Sequence, residues 1–202
     1  GRNCLYRNDD GHFQDVAPQA GVEDIATGMS VTWGDYNRDG LMDLYVSNMW
    51  SGAGNRIVYQ RQFAPGATNS DVRGLQRTTR GNSLFANLGG GRFQDVSVPT
   101  DVTMGRWAWA SKFADFNNDG WFDLFIVAGS GQVQTYGKSA WWSQGKSLYL
   151  FKNQEGRAFE DVTPDSGLPH VEKGMGCAAG DLDNDGFVDV FVTSAGENRI
   201  LK

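Results

Sequence analysis

The chain has 202 residues and a formal net charge of −6, with 40% hydrophobic and 12% aromatic residues. That is enough apolar material for one large domain or two small ones. The acidity weighs against nucleic acid or an anionic membrane surface as a partner, and no apolar run approaches the ~18 residues of a membrane span. The 27 glycines are about twice the usual ~7% share, which points, with the aromatic content, to an all-β protein with many tight turns. The two cysteines, Cys4 and Cys177, imply no disulfide scaffold; one bridge and two buried free thiols both fit. The sequence begins at Gly1, so any targeting segment is missing from this stretch.

In chain order, the same unit recurs. Leu5-Tyr6-Arg7-Asn8 is followed by Gly11-His12-Phe13-Gln14-Asp15-Val16. Leu84-Phe85-Ala86-Asn87 is followed by Gly91-Arg92-Phe93-Gln94-Asp95-Val96, and Leu150-Phe151-Lys152-Asn153 by Arg157-Ala158-Phe159-Glu160-Asp161-Val162. Each hairpin leads to a loop with oxygen side chains at positions 1, 3, 5 and 9 and glycine at position 6. The loops are Asp35/Asn37/Asp39/Asp43, Asp115/Asn117/Asp119/Asp123 and Asp181/Asp183/Asp185/Asp189. Two independent markers that keep the same phase are the signature of true repetition.

Strand patterns flank every loop. Met29–Trp33, Trp107–Ala110 and Met175–Ala179 enter; Leu41–Val46, Phe122–Val127 and Phe187–Val192 leave. The exit strands are almost continuously apolar, so burial on both faces is expected. Four antiparallel strands per repeat match a β-propeller blade. The chain divides into 1–27 (the end of one blade), 28–97 (a blade with insertion 49–81), 105–163 (a blade with insertion 129–145) and 174–202 (the start of the next). About three blade equivalents are too few to close a ring, so the preferred reading is a partial propeller from a longer chain whose open edges neighbouring blades cover; self-association is the alternative. The first insertion holds Arg56, Arg61, Arg73, Arg77 and Arg80 against one acid, Asp71, and an extra strand is expected at Asn55–Tyr59. The second carries Tyr136, Trp141 and Trp142.

Alternate inward-pointing oxygens around a sharp glycine turn wrap a hard cation such as Ca²⁺. Three loops with identical spacing make ordinary Asp/Asn/Gly turns a poor account of them. Position 12 is Val46, Ile126 or Val192 in a strand, which rules out an EF-hand. The expected ligands are the side chains at positions 1, 3, 5 and 9 and the backbone carbonyls of Leu41, Trp121 and Phe187 at position 7. The loops hold ten of the 24 acidic residues, and three Ca²⁺ would neutralise the formal charge. Loop three, with four Asp, is expected to bind most tightly, because affinity rises with ligand charge.

These loops, with the L-[YF]-x-N and F-x-D-V hairpins, resemble FG-GAP/VCBS repeats, the blades of the integrin α-subunit propeller and of many secreted bacterial proteins. Gly105-Arg106-Trp107-Ala108-Trp109 before loop two looks closer to the bacterial surface or secreted type. The resemblance covers the chain outside its two insertions. It implies a propeller fold, Ca²⁺ and an extracellular, cell-surface or periplasmic setting, and it implies no ligand.

Catalysis finds little support. His12 lies in a hairpin turn and His170 in a loop, and there is no Gly-x-Ser-x-Gly or paired-Cys metal spacing. Ala140-Trp141-Trp142-Ser143-Gln144-Gly145-Lys146-Ser147 fits a relaxed phosphate-loop pattern, but two tryptophans fill it and a strand is expected after it, so no nucleotide is expected. Asp15, Asp95 and Asp161 read as backbone hydrogen-bonders. Trp33, Trp107, Trp109 and Trp121 read as core. Arg73, Arg77, Arg80, Trp141 and Trp142 are the candidate ligand contacts, a protein or glycan being the expected partner, while a solvated face is the plain alternative for the arginines. The function expected is recognition, adhesion or scaffolding outside the cytoplasm. The alternatives are a non-catalytic propeller within a larger secreted hydrolase or lyase, and a structural subunit of a surface fibre or complex.

Overall fold

The computed structural model describes residues 2–60, 62–129 and 146–202, together with the backbone of 134–135 and 138–139. The pair β1 (Tyr6–Asp9) and β2 (His12–Asp15) forms an antiparallel hairpin, and the short helix α1 (Ala17–Ala20) follows it. Next come β3 (Gly28–Gly34) and β4 (Asp43–Asn48), then two helices, α2 (Gly52–Ile57) and α3 (Asn69–Arg80). The strands β5 (Ser83–Asn87) and β6 (Phe93–Asp95) complete an antiparallel sheet in the order β3-β4-β5-β6. The next repeat supplies β7 (Ala108–Ala114), β8 (Asp123–Ala128), the small paired strands β9 (Gln134–Thr135) and β10 (Lys138–Ser139), then β11 (Leu148–Asn153) and β12 (Phe159–Asp161). Its sheet runs β7-β8-β11-β12. The last sheet, β13 (Gly174–Gly180), β14 (Asp189–Ser194) and β15 (Arg199–Leu201), has three strands. The fold is all-β, with four-stranded antiparallel sheets of propeller-blade type. The register repeats as well: Tyr45 faces Leu84, Phe125 faces Leu150 and Phe191 faces Ile200.

Side-chain alternation explains the apolar exit strands. Along β8, Leu124 and Ile126 enter a core shared with Phe113 of β7 and with Tyr45 and Leu84 of the preceding repeat, while Phe125 and Val127 enter a second core with Val171, Val190 and Val192. Along β4, Tyr45 serves the first of these cores, and Leu44 and Val46 enter a third with Ala17, Ala20 and Val22. Both strands are buried throughout. In β14 Phe191 is exposed, because its outer face has no further sheet against it among the described residues.

The F-x-D-V hairpins close each sheet by one device. The amides of Val16, Val96 and Val162 donate to the carbonyls of Leu5, Leu84 and Leu150 at 2.7, 2.9 and 3.0 Å. Asp15, Asp95 and Asp161 accept from the amides of Ala17, Ser97 and Thr163 two residues on.

Three sequence expectations are corrected. Asn55–Tyr59 does not form an extra strand: Ser51 caps α2, its Oγ accepting from the Gly54 amide at 3.0 Å, and both edges of β4 are already taken by β3 and β5. The four tryptophans are not fully buried: Trp33 and Trp107 are 41% and 42% exposed, and Trp109 and Trp121 are half-buried. Trp33 rests on Phe93 beside the two-stranded first sheet, which is too narrow to cover it. The cysteines are neither bridged nor both buried: Cys4 is exposed, whereas Cys177 is half-buried in β13, and burial pushes its thiol up to about 11.

Candidate metal centres

Each Asp loop is built the same way. The position-1 carboxylate accepts from the amides at positions 5 and 6: Asp35 from Asp39 (3.1 Å) and Gly40 (2.9 Å), Asp115 from Asp119 (3.1 Å) and Gly120 (2.8 Å), Asp181 from Asp185 (3.2 Å) and Gly186 (3.0 Å). The position-5 carboxylates of Asp39, Asp119 and Asp185 accept from the amides of Leu41, Trp121 and Phe187 at 2.8, 3.0 and 2.8 Å. The position-6 glycines have φ of 84, 86 and 89°, and nothing lies within 4 Å of a Cβ placed on Gly40 or Gly186. Conformation, not space, therefore demands glycine there.

The position-9 carboxylates lie at the bottom of the loops. Asp43, Asp123 and Asp189 are only 0, 2 and 6% exposed. Asp43 accepts from the amides of Tyr36 (3.1 Å) and Asn87 (2.8 Å), Asp123 from Asn153 (2.8 Å), and Asp189 from Leu182 (2.9 Å). Asn87 and Asn153, from two of the L-[YF]-x-N markers, thus join the neighbouring hairpin to its Asp loop. Their side chains complete the staple: Asn87 Nδ2 donates to Met42 O at 2.9 Å, and Asn153 Nδ2 to both Tyr36 O and Phe122 O at 2.8 Å. Sequence reading used these asparagines as phase markers and missed this role; their fixed distance from each loop was the signal. Burial raises the Asp43 and Asp123 carboxyls to about 6, against the pull of those amides and helped by the neighbouring loop carboxylates.

The donor set is all oxygen, which suits a hard divalent cation and not zinc or copper. In loop three, Asp181, Asp183 and Asp189 bring one carboxylate oxygen each within 4.8 Å of one another. The acidic side chains of loops one and two are not gathered this closely among the described residues, and position 3 is where the loops differ. Asn37 and Asn117, expected as ligands there, are both turned onto their own loops. Asn37 Oδ1 accepts from the Asp39 amide at 3.1 Å, and its Nδ2 donates to Asp39 Oδ2 at 3.0 Å. Asn117 is exposed, and its Oδ1 accepts from the Asp119 amide at 2.9 Å. A neutral amide satisfies a backbone donor without the repulsion that a third carboxylate would meet, so these two side chains close the turn. The Asn117 and Asn37 oxygens keep a second lone pair each for a cation.

The protein's own cations already lean on two loops. Lys152 Nζ lies 3.5 Å from Asp119 Oδ2, and Lys202 Nζ donates to Asp183 Oδ2 at 2.5 Å, which lowers the Asp183 carboxyl. The loops also touch one another in a row. The Arg38 guanidinium of loop one sits 5.2 Å from the ring centre of Trp121 in loop two, and Asn118 Nδ2 of loop two donates to Gly186 O of loop three at 2.9 Å.

The arginine-rich insertion docks onto a polar site instead of forming a wholly outward patch. Arg77 Nε donates to Asp24 Oδ1 at 3.2 Å and its Nη1 to Asp95 Oδ2 at 2.5 Å, while Arg80 Nη2 reaches Asp95 Oδ2 at 3.0 Å. Asp24 is fully buried and also accepts from Ser83 Oγ (2.5 Å) and Asn48 Nδ2 (3.2 Å). Asp95 is lowered: burial opposes ionisation there, but Ser97 and the two guanidiniums outweigh it. Arg73 is exposed and donates Nε to Asn69 O at 3.3 Å. Trp141, Trp142 and Tyr136 lie outside the described residues. His12 and His170 are both exposed, and the segment after Lys146 leads into β11, not a helix.

Residues 1–46, 69–126 and 139–192 match the family model described as FG-GAP-like repeat. Among curated proteins, the chain is 29% identical over 201 residues to cartilage acidic protein 1 of Xenopus tropicalis, covering 98% of the chain and 26% of that protein. It is 28% identical over 202 residues to the Homo sapiens protein of the same name, covering 98% and 25%. The chain therefore spans about a quarter of the length of these relatives.

Proposed function

Since the chain belongs to the FG-GAP-like repeat family, we propose that it is a calcium-stabilised propeller segment that serves recognition, adhesion or scaffolding outside the cytoplasm and carries no catalytic chemistry of its own. The observation that carries this reading is the threefold recurrence of one loop geometry, with a buried acid at the base of each loop. Buried carboxylates clustered near others repel one another, and a divalent cation removes that repulsion while fixing the loop. Side chains at positions 1, 3, 5 and 9 would hold the ion, with Leu41, Trp121 and Phe187 offering backbone carbonyls. Modules of this kind with weak sites are filled at the Ca²⁺ levels found outside cells, and the matched relatives carry cartilage in their name. Among the described residues, no helix is long and apolar enough to cross a membrane.

The exposed apolar side chains at either end of the sheet array, Val31 and Trp33 at one and Phe191 and Ile200 at the other, favour neighbouring sheets or other chains as partners there.

Thermal melting tests the calcium reading. Saturating Ca²⁺ should raise the melting temperature by several degrees over EDTA, as mass action on the folded state requires. Asp183→Asn should remove the tightest binding step, since the Lys202–Asp183 pair that an ion would displace is solvent-exposed and screened. Identical melts with Ca²⁺ and EDTA would sink the proposal.

A further inference from the structure

We propose that the pocket at the start of the first insertion binds a carboxylate-bearing sugar ring of an acidic oligosaccharide. The proposal rests on the recognition reading above and names a ligand class for it. An open cavity of about 500 Å³ is lined by Trp50, Gly52, Asn55, Arg56 and Tyr59. It is distinct from the Asp loops, and none of its side chains was singled out for binding from the sequence.

The aromatic wall is fixed before any ligand arrives. The Trp50 amide donates to Arg106 O at 2.8 Å. Its indole lies so close to two glycines that a Cβ on Gly52 would come within 2.8 Å of the ring and one on Gly81 within 3.0 Å. Side chains at 52 and 81 would push the indole out of this position. Helix α2 is held as firmly: Ser51 caps its start, Val58 is buried at its end, and Val58 O accepts from Gln76 Nε2 of α3 at 3.4 Å. Asn55 and Arg56 therefore project from an anchored turn, with Tyr59 62% exposed beside them.

The charge distribution selects the occupant. Arg77 and Arg80 are committed to Asp24 and Asp95. Arg56 makes no hydrogen bond or ion pair among the described residues, so a free guanidinium faces a cavity walled by an indole and a phenol. A pyranose ring offers a flat C–H face to the indole, hydroxyls to the Asn55 amide and the Tyr59 phenol, and a carboxylate to the planar guanidinium. A neutral sugar leaves Arg56 without an anion. An acidic peptide pairs with Arg56 but has no flat face for Trp50. Elsewhere the protein is net acidic, so a polyanion gains its attraction at this pocket and not from a general basic surface.

Isothermal titration calorimetry of the 202-residue chain in Ca²⁺ buffer at low salt tests this. The probe is a tetrasaccharide of alternating hexuronic acid and N-acetylhexosamine. Binding is expected, weakened about tenfold or more by Arg56→Gln, by Tyr59→Ala and by chemical reduction of the probe's carboxyl groups, with Arg56→Lys intermediate. Arg157→Gln, far along the chain and paired with exposed Glu155 and the neighbouring Gln154 carbonyl, should leave affinity unchanged. Each variant's melt should match the parent, since Arg56 and Tyr59 are exposed. The proposal is overturned by an absence of binding, by unchanged affinity in Arg56→Gln, or by a Glu-rich hexapeptide binding as tightly as the oligosaccharide. The calcium melt involves no sugar, so failure here leaves that result standing, and failure there leaves this one readable.

Discussion

Asp43 and Asp123 show what a carboxylate costs when it is buried beside other carboxylates. Each accepts at least one backbone amide, yet burial still raises its carboxyl to about 6, above the ~3.9 of an unfolded aspartate. A folded value above the unfolded one favours the protonated form. That contribution to stability is fully present below about pH 4 and is lost as the pH rises through about 6. Metal-free protein should thus lose melting temperature between pH 4.5 and 7, and the gap between Ca²⁺ and EDTA melts should widen over the same range. Asp43→Asn, which stays neutral, should flatten the EDTA profile and shrink the gap; a gap that is constant with pH would contradict the assignment. At the same scale, small sequence differences keep one hydrogen bond alive. Ser97 Oγ and Thr163 Oγ1 accept from the amides of Leu84 and Leu150 at 2.8 and 3.0 Å. Ala17 has no hydroxyl at the matching position, and Asp15 Oδ1 takes the Leu5 amide itself at 3.1 Å.

At the scale of elements, the strands and Asp loops were legible because repetition supplied the phase that one short apolar run lacks. What spacing could not tell was how position 3 behaves: Asn37 and Asn117 each spend an oxygen on the loop backbone, and Asp183 in the same slot accepts from the Asp185 amide as well. The helices of the first insertion were not legible either. Helix α3 buries no apolar residue; it is held through Arg77 and Arg80, so the hydrophobic stripe that betrays most helices is missing. One signal was present, the Thr68-x-x-Asp71 capping box, in which Asp71 N donates to Thr68 Oγ1 at 3.2 Å and Thr68 N to Asp71 Oδ2 at 3.1 Å. For α2, where a strand was expected at Asn55–Tyr59, the capping serine and the lack of a free edge on β4 decide for helix. The loops themselves are not independent elements. With Arg38 over Trp121 and Asn118 on Gly186 O, ordering one loop restricts the next, which is positive coupling between sites. A Ca²⁺ titration followed by tryptophan fluorescence should be steeper for the parent than for Asn118→Ala or Arg38→Ala, with the overall stoichiometry kept. Equal steepness in all three would show that the loops fill separately.

Across the whole molecule, the sheets stack so that each interior one lies between two cores, as the faces of β8 show. The propeller-type architecture followed from the repeat, and the end faces followed from its phase; what fills the insertions could not, because polar docking and a fixed indole leave no periodic trace in a sequence. Sharing of cores has a consequence for the order in which the chain comes apart. Removing the outer sheet of β13, β14 and β15 opens one core, whereas removing the sheet that contains β8 opens two, and stability in such arrays sums over neighbour interfaces. Fraying should therefore run inward from the ends. In native-state hydrogen exchange, amides of β1 and β15 should open first and those of Leu124 to Val127 last; uniform protection along the chain would mean that the stack melts as a single block.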